Sequence, residues 1–520
     1  MFAKRNVWAV LVLVTISVLL VTGVASAAET EDLIPLQIIT INDFHGALIE
    51  NGKNPGAAKL AQYIQEIKTK DPGGTLILSA GDMFQGTPES NLLYGQNVVN
   101  IMNYVGLDAA TLGNHEFDWG VDILKQRIAQ SNFAYLCANL FDKNTGKPVD
   151  FITPCITVEK NGLHIAIIGI ATPETAYKTN PRVVSGYLFD DPVRVMRALV
   201  PVLKQKDIDV VVVLSHLDSW MDKDGNISGD AAALAANVSG IDAIVSGHSH
   251  QAVYGKVNGV PIVQASYNGR AIGKIDLVYD RMTKRLRSSA VEVIALPTDL
   301  AADSHIQSML NQTQMDLEHI KNSVIGHTKH ALSHDRNEMT ETLLGQWVTD
   351  AMRKAVDADI AFQNSGGLRT GIPAGIITMG KLYEVMPFDN TLFLAEMTGR
   401  QVMEVLDYGL LNDKIGMVQY SGLHVTYDFT KPVKERIVTV TMANGKPLRL
   451  EKTYKVVTND FLAAGGDGFT MFLQGRHLKD TYIPVRTIMV NAIRKQTVIN
   501  FAGDTRWKSV TGTKQKKDAA

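Results

Sequence analysis

From Leu36 to about Tyr279, short β-branched apolar runs alternate with stretches of helical length, and this alternation constrains the fold more than any other feature. Leu36–Ile41, Thr75–Ser79, His164–Ile170, Asp209–Leu214 and Ile241–Val245 read as buried strands. Between them, Gly56–Lys68, Asn91–Val105, Val121–Gln130 and Pro192–Lys206 have helical length and spacing. Strands and helices in alternation imply α/β layers, with a sheet covered on both sides. The region is assigned to residues 35–298. Residues 299–324 hold a polar helical stretch that reads as a connecting helix and hinge. Beyond Val324 the pattern changes to a helix, Glu341–Val356, followed by strand-like Ile360–Gln363, Leu392–Met397, His424–Asp428 and Ile437–Met442. This is a second, α+β domain over 325–508, and the basic, polar residues 509–520 read as a disordered tail. No internal repeat is present.

Composition narrows the function. The 520 residues are enough for two or three domains at about 100–200 residues each. Lys+Arg 51 against Asp+Glu 53 leaves no basic field to grip a nucleic-acid polymer. Two cysteines, Cys137 and Cys155, exclude a disulfide scaffold, an Fe–S cluster and a zinc-ribbon set. Lys4 and Arg5 precede an apolar run from Val7 to Val24, which ends at Ala25-Ser26-Ala27. A charged start, an apolar run and a small-residue cleavage site describe a secretory signal peptide over residues 1–27. An uncleaved anchor is the weaker alternative, since the run is just long enough to span a bilayer. Cleavage leaves 49 basic residues against 53 acidic ones. No second apolar segment of spanning length follows, so the mature chain is expected to be secreted, extracellular or periplasmic, with no stable membrane span. There the two cysteines either pair or remain as separate buried thiols.

The chemically suggestive residues stand just past strands. Asp43 and His45 follow Ile38–Ile41, Asp82 follows Leu76–Ser79 through Gly81, and Asn114-His115 follow Ala109–Leu112 through Gly113. His216 follows Val210–Leu214, and His248 with His250 follow Ile241–Val245. Open α/β sheets place ligands at the carboxyl ends of strands, so these side chains can converge. Any one of them alone is more simply a cap or turn residue. So many in one sheet point to a common site. Oxygen and imidazole donors without thiolate suit Zn, Mn, Fe or similar ions. Two such ions about 3.5–4 Å apart need a shared carboxylate. Two dications also outweigh two carboxylates, leaving positive charge for a hydroxide and a phosphoryl dianion.

Asp43-x-His45, Gly81-Asp82, Gly113-Asn114-His115-Glu116, His216 and Gly247-His248-Ser249-His250 resemble, in order, the signature of calcineurin-like metallophosphoesterases. The longer forms Ile41–Gly46 and Asn114–Gly120 resemble the secreted 5′-nucleotidase and UDP-sugar hydrolase family, and the likeness covers nearly the whole mature chain. It implies an N-terminal four-layer α/β/β/α sandwich with a C-terminal α+β nucleotide-binding domain. It further implies one metal on Asp43, His45, Asp82 and His250, and a second on Asp82, Asn114, His216 and His248. Zn²⁺ or Mn²⁺ is expected, with Co²⁺ as the alternative. His250 departs from relatives that place Gln or Asn there. His115 and Asp118 match the catalytic dyad, in which an imidazole stabilises charge on the transferring phosphoryl group and a carboxylate fixes its tautomer.

Four blocks in the C-terminal half carry the substrate side of the resemblance. Asn364-Ser365-Gly366-Gly367-Leu368-Arg369 is a glycine turn ending in a cation, and Met386–Asn390 presents an aromatic ring on a rigid turn. Asn459-Asp460-Phe461 and Gly465–Phe469 present a second ring and a carboxylate. Taken singly, each is an ordinary turn or core element. The resemblance implies Phe388 and Phe461 sandwiching the base and Asp467 on the ribose. Asn364, Gly367, Arg369 and Asn390 would lie near phosphate, ribose or base, with Arg336 as a further arginine. Ser365, where relatives often have Gly, and Asp389 beside the stacking ring are departures that bear on substrate preference. His327, His330 and His334 have helical metal-ligand spacing but no supporting carboxylates, and read as solvated surface.

The expectation is therefore a 5′-nucleotidase releasing phosphate and nucleoside through a metal-activated hydroxide. One rival is a broader hydrolase of UDP-sugars or 2′,3′-cyclic nucleotides using the same residues. Another is a secreted, non-catalytic nucleotide-binding protein, which would predict loss of a ligand or of His115. None is lost.

Overall fold

The computed structural model describes residues 32–510 except 53, 298, 337 and 338, so the leader and most of the tail read from the sequence lie outside the described residues. Within it, the strand Leu33–Ile41 shows how the first domain is layered. Ile34, Leu36 and Ile38 point into one core, while Ile39 and Ile41 point into another. Val210–His216 divides in the same way: Val210, Val212 and Leu214 enter the first core, Val211 and Val213 a third. Alternate side chains leave a strand on opposite faces, so each strand is apolar throughout because both faces are covered.

The core shared by both strands lies between two six-stranded sheets. One sheet runs in the order Arg285–Ala295, Ala271–Asp280, Leu33–Ile41, Thr75–Ser79, Ala109–Thr111, Ala134–Leu136. The other runs Ala252–Val257, Val260–Ala265, Ala243–Val245, Val210–His216, Leu163–Ala171, Cys155–Lys160. Helices Gly56–Lys68, Gln96–Val105 and Val121–Gln130 cover the outer face of the first sheet. Pro192–Lys204 and Asp230–Asn237 cover the outer face of the second. The result is the four-layer α/β/β/α sandwich. The simpler reading of one sheet with helices on both sides is corrected here. Each sheet has helices on one face and the other sheet on the opposite face, and an apolar strand face looks the same under either cover.

Two further differences are local. The stretch read as one helix, Asn91–Val105, is two, Pro88–Asn91 and Gln96–Val105, broken at Gly95. Gly95 holds φ 76, and a Cβ there would come within 2.8 Å of the Phe84 ring, so no other residue fits the turn. The connecting stretch forms Ser304–Lys321, capped by the Asp303 side chain on Ile306 N. Ile306 and Leu310 anchor it in the first domain's core, and it packs against Met379–Val385 of the second.

The second domain is built on a five-stranded sheet, ordered Gln419–Ser421, Ile360–Gln363, Thr453–Asn459, Thr391–Thr398, Arg476–Pro484. Ile360 and Phe362 face one core and Ala361 the other. Cys137 is buried and Cys155 half-buried, both as free thiols, and burial pushes the Cys137 thiol up to about 12.

Because Ile38 is fully buried between the sheets, Ile38→Ala should cost about 2–5 kcal/mol in denaturant unfolding of the first domain. Val202→Ala, on the exposed side of a covering helix, should stay within about 0.5 kcal/mol.

Candidate metal centre and substrate site

Each proposed metal ligand stands at or just beyond the carboxyl end of a parallel strand. Five of them hold left-handed backbone: Asp43 (φ 47), His45 (φ 51), Asp82 (φ 52), His248 (φ 72) and His250 (φ 58). Non-glycine residues adopt this conformation at a cost of about 1–3 kcal/mol each, and keep it only where the surroundings over-determine them. Here the loops pin one another. Asp43 N donates to Gly81 O at 3.1 Å and His45 N to Asp82 O at 3.0 Å. His248 N donates to the Asp43 carboxylate at 3.1 and 3.2 Å, and Asn42 Nδ2 donates to Asp43 Oδ2 at 2.7 Å. A Cβ on Gly113 would sit 2.1 Å from Asp82 Oδ1, which is why the Asn114 loop begins with glycine.

The donors form two groups. Asp43, His45 and His250 each bring one ligand atom within 4.8 Å of the others, and so do Asp82, His216 and His248. Asp82 stands between them: Oδ2 is 3.2 Å from His216 Nε2 and 4.0 Å from His45 Nε2. Hydrogen bonds to backbone carbonyls select the free nitrogens of two of the rings. His45 Nδ1 donates to Gln85 O at 2.8 Å and His216 Nδ1 to Ala80 O at 2.7 Å, leaving Nε2 of each ring. His248 uses Nε2 on Glu174 Oε2 at 3.0 Å and keeps Nδ1. Asn114 Nδ2 donates to Lys178 O at 3.2 Å, while its Oδ1 is buried without a hydrogen-bond partner. Buried lone pairs of this kind suit a cation, and the hard oxygen and imidazole donor set suits two divalent ions.

The electrostatics make the same demand. Burial pushes Asp43 up, but His250 beside it outweighs burial and holds the carboxyl at about 2. Asp82 lies well below its usual range, burial again being overcome, here by His216 and His115. His216 is raised to about 10 because Asp82 outweighs burial. His216 and His115 are raised and so carry positive charge beside Asp82, whereas burial lowers His45 and His250, and dications would supply the charge that these carboxylates require.

The dyad is set beside the groups. His115 Nδ1 lies 2.7 Å from Asp118 Oδ2, Thr179 Oγ1 donates to Asp118 Oδ1 at 2.9 Å, and His115 N donates to Asp82 Oδ1 at 2.8 Å. Burial disfavours the charged His115 ring, yet Asp118 and Asp82 raise its pKa overall.

The second domain meets this centre directly. Phe388 stacks on His115, ring centroids 6.0 Å apart at 29°, with the Arg369 guanidinium 5.5 Å from its centroid. Arg336 Nη2 lies 3.4 Å from His250 Nδ1. Burial lowers both arginines, and Arg369 falls to about 9 with Arg336 adding to the effect. Asn364 Nδ2 donates to Asp467 Oδ2 at 3.0 Å and Asn390 Nδ2 to Asp460 Oδ1 at 2.9 Å. A Cβ on Gly367 would meet Gln363 Nε2 at 2.3 Å and Asn364 Oδ1 at 2.7 Å, so a larger residue would have to displace both side chains. Phe461 packs against Gly466, where a Cβ would be 2.6 Å from its ring. Ser365 Oγ is buried without a partner, and Asp389 pairs with Arg486.

One reading changes. His327 and His330 are exposed, as expected, but in and beyond the strand Val324–Thr328 rather than on a helix. His334 is half-buried, its ring 2.9 Å from Thr342 Oγ1 and 3.1 Å from Ser365 O. It supports the Asn364–Arg369 turn. Local sequence could not show this, because Ser365 lies 31 positions further on.

Several residues were not singled out from the sequence. The Glu116 carboxylate accepts from Asp82 N, Met83 N and Gly113 N at 2.7–2.8 Å and so ties the two ligand loops together. Burial and the Asp82 charge push it up to about 7. Tyr267 stacks on His250 at 5.1 Å, and Glu174 and Thr179 hold His248 and Asp118. The one signal that pointed to the last two is positional: they follow the strand Leu163–Ala171.

Comparisons agree with this geometry. The calcineurin-like phosphoesterase family matches residues 36–252, and the 5′-nucleotidase C-terminal domain matches residues 324–474. The chain is 30% identical over 495 residues to a 5′-nucleotidase of Vibrio cholerae, covering 86% of this chain and 88% of that one. It is 31% identical to Endonuclease YhcR of Bacillus subtilis over 83% of its own length, but spans only 37% of that longer protein. The crystal structure of a 5′-nucleotidase precursor from Thermus thermophilus superposes with a TM-score of 0.78 at 28% identity, over 92% of this chain and all of that one. Among the described residues no helix is long and apolar enough to cross a membrane. Two domain matches in order, with a 30% identical 5′-nucleotidase covered over 88% of its length, show that the chain belongs to the 5′-nucleotidase family of calcineurin-like metallophosphoesterases.

Proposed function

We propose that this chain is a secreted phosphohydrolase that releases phosphate and nucleoside from nucleoside 5′-monophosphates. The observation that carries the reading is the contact of Phe388 with His115, which sets an aromatic ring of the substrate domain against the dyad of the metal domain. Secretion rests on Lys4-Arg5, the apolar run and Ala25-Ser26-Ala27.

Asp43, His45, Asp82 and His250 would hold one divalent ion, and Asp82, Asn114, His216 and His248 the other. Such ions, Zn²⁺ or Mn²⁺ in this reading, polarise phosphoryl oxygens and make water nucleophilic at neutral pH. The residues do the rest. His115, with Nδ1 on Asp118, has Nε2 to present to the transferring phosphoryl group, and its raised pKa favours the cation that neutralises charge there. Arg369 and Arg336 are half-buried cations whose pKa desolvation lowers, and a phosphoryl dianion would relieve that cost. Phe388 and Phe461 supply faces for a base, and Asp467 can exchange its contact with Asn364 for ribose hydroxyls.

Three outcomes test the reading. Chelation should abolish turnover, with Zn²⁺, Mn²⁺ or Co²⁺ restoring it. Each bound ion should also raise thermal stability, by about 2.7 kcal/mol at a hundredfold excess over Kd, which calorimetry reads without any substrate. His115→Asn should lower kcat by about 10²–10⁴-fold with metal content unchanged. A variant that loses metals and activity together would make His115 structural. Phe388→Ala or Phe461→Ala should cost about 1–3 kcal/mol in kcat/KM for AMP, mostly through KM, and little for an aryl phosphate. Equal losses on both substrates would place the nucleotide pocket elsewhere. A panel including UDP-glucose and 2′,3′-cyclic nucleotides sets the breadth of the activity.

A further inference from the structure

A single short segment of the first domain touches one of the two ligand groups, the dyad and the second domain. Residues 174–182 follow the strand Leu163–Ala171 and include the helix Thr175–Lys178. Glu174 Oε2 lies 3.0 Å from His248 Nε2, and the Tyr177 hydroxyl donates to Glu174 Oε1 at 2.7 Å. The Lys178 carbonyl accepts from Asn114 Nδ2 at 3.2 Å. Thr179 Oγ1 donates to Asp118 Oδ1 at 2.9 Å, and the other Asp118 oxygen faces His115.

The same segment is held from the opposite side by carboxylates of the second domain. Asn180 Nδ2 donates to Asp460 Oδ2 at 2.8 Å, and Asp460 Oδ1 receives Asn390 Nδ2. Lys178 Nζ lies 3.5 Å from Asp467 Oδ1. Arg182 Nη1 lies 3.5 Å from Asp480, and its guanidinium covers Phe393 at 4.4 Å.

We propose that residues 174–182 form a positioning strap. Glu174 sets the tautomer and orientation of His248, the Lys178 carbonyl takes the Asn114 amide nitrogen so that Oδ1 is left to face a cation, and Thr179 orients Asp118. Asn180 ties the strap to the substrate domain. The physical basis is the outer hydrogen bond that metal-ligating rings require, whose loss typically costs about 10–100-fold in metal affinity or activity. What is unusual is the sharing: ligand orientation, dyad orientation and domain seating run through consecutive residues. Seating of the second domain therefore reaches the chemical centre without any contact to substrate. The proposal rests on the phosphohydrolase reading above.

The test uses the full chain, stripped of metal and titrated with Zn²⁺ alone against a chromophoric chelator. Glu174→Gln should weaken one of two Zn²⁺ equivalents about 10–100-fold and leave the other unchanged. The Glu174 side chain is 33% exposed, so the substitution should preserve the fold, and the melting temperature checks this. Thr179→Val should keep both Zn²⁺ affinities and lower kcat on an aryl phosphate, with Thr179→Ser restoring it. Asn180→Ala should lower kcat on the same aryl ester, which has no nucleoside for the second domain to hold. Wild-type Zn²⁺ binding in Glu174→Gln, or wild-type kcat in Thr179→Val, would overturn the strap. An effect of Asn180→Ala confined to nucleotide KM would overturn its coupling to the second domain. A wild-type chain that cleaves the aryl ester but no nucleoside monophosphate would remove the nucleotidase reading and leave these comparisons standing.

Discussion

The buried charge of Asp82 organises the centre. Its carboxylate is fully enclosed, 3.2 Å from His216 and 4.0 Å from His45, with the amide of His115 on its other oxygen. A buried carboxylate is tolerated only when opposite charge and hydrogen bonds replace water. The ligand loops satisfy that demand by closing on one another, which puts five non-glycine residues in left-handed backbone and glycine at 113. Glu116 completes the arrangement. It gathers three amides from the two loops, and its raised pKa reflects burial first and then the nearness of Asp82. The strain of the loops and the demand for cations are two sides of one constraint.

Much of this was legible from the chain alone, for identifiable reasons. Gly56–Lys68, Thr75–Ser79, Val121–Gln130 and Ile360–Gln363 have the bounds their local patterns give, because length, periodicity and flanking residues suffice. The convergence of the candidate ligands was legible because all stand at or just past strand ends, and the carboxyl edge of a parallel sheet is where loops converge. The second sheet was legible only through the family resemblance, not from the local pattern. Val212 and Val213 are equally apolar, yet one faces strands and the other helices, and nothing in the residues tells those covers apart.

What escaped the sequence shares a second cause: it depends on partners far away in the chain. His334 looked like surface until Ser365, 31 positions on, met one of its nitrogens. Glu174 and Thr179 lie outside every recognised block, yet hold His248 and Asp118 across 74 and 61 positions. Residue type identifies groups able to coordinate metal or transfer protons. The residues that aim those groups have no type of their own, since any donor or acceptor at the right place serves.

The turn carrying Phe388 applies this to specificity. Asp389 beside the ring was read as a departure able to alter base preference. Its carboxylate is instead paired with Arg486, whose guanidinium also donates to Met386 O at 2.8 Å and Phe388 O at 3.2 Å. The same guanidinium lies 3.8 Å over the Tyr383 ring. Arg486 is buried, so its charge needs these acceptors, and they are the backbone of the turn itself. Asp389 therefore acts on the ring through the arginine that fixes the turn, rather than through a charge offered to the base. A rigid aromatic face loses little entropy when it stacks, so under the proposed function this clamp would favour a base on Phe388 without touching it.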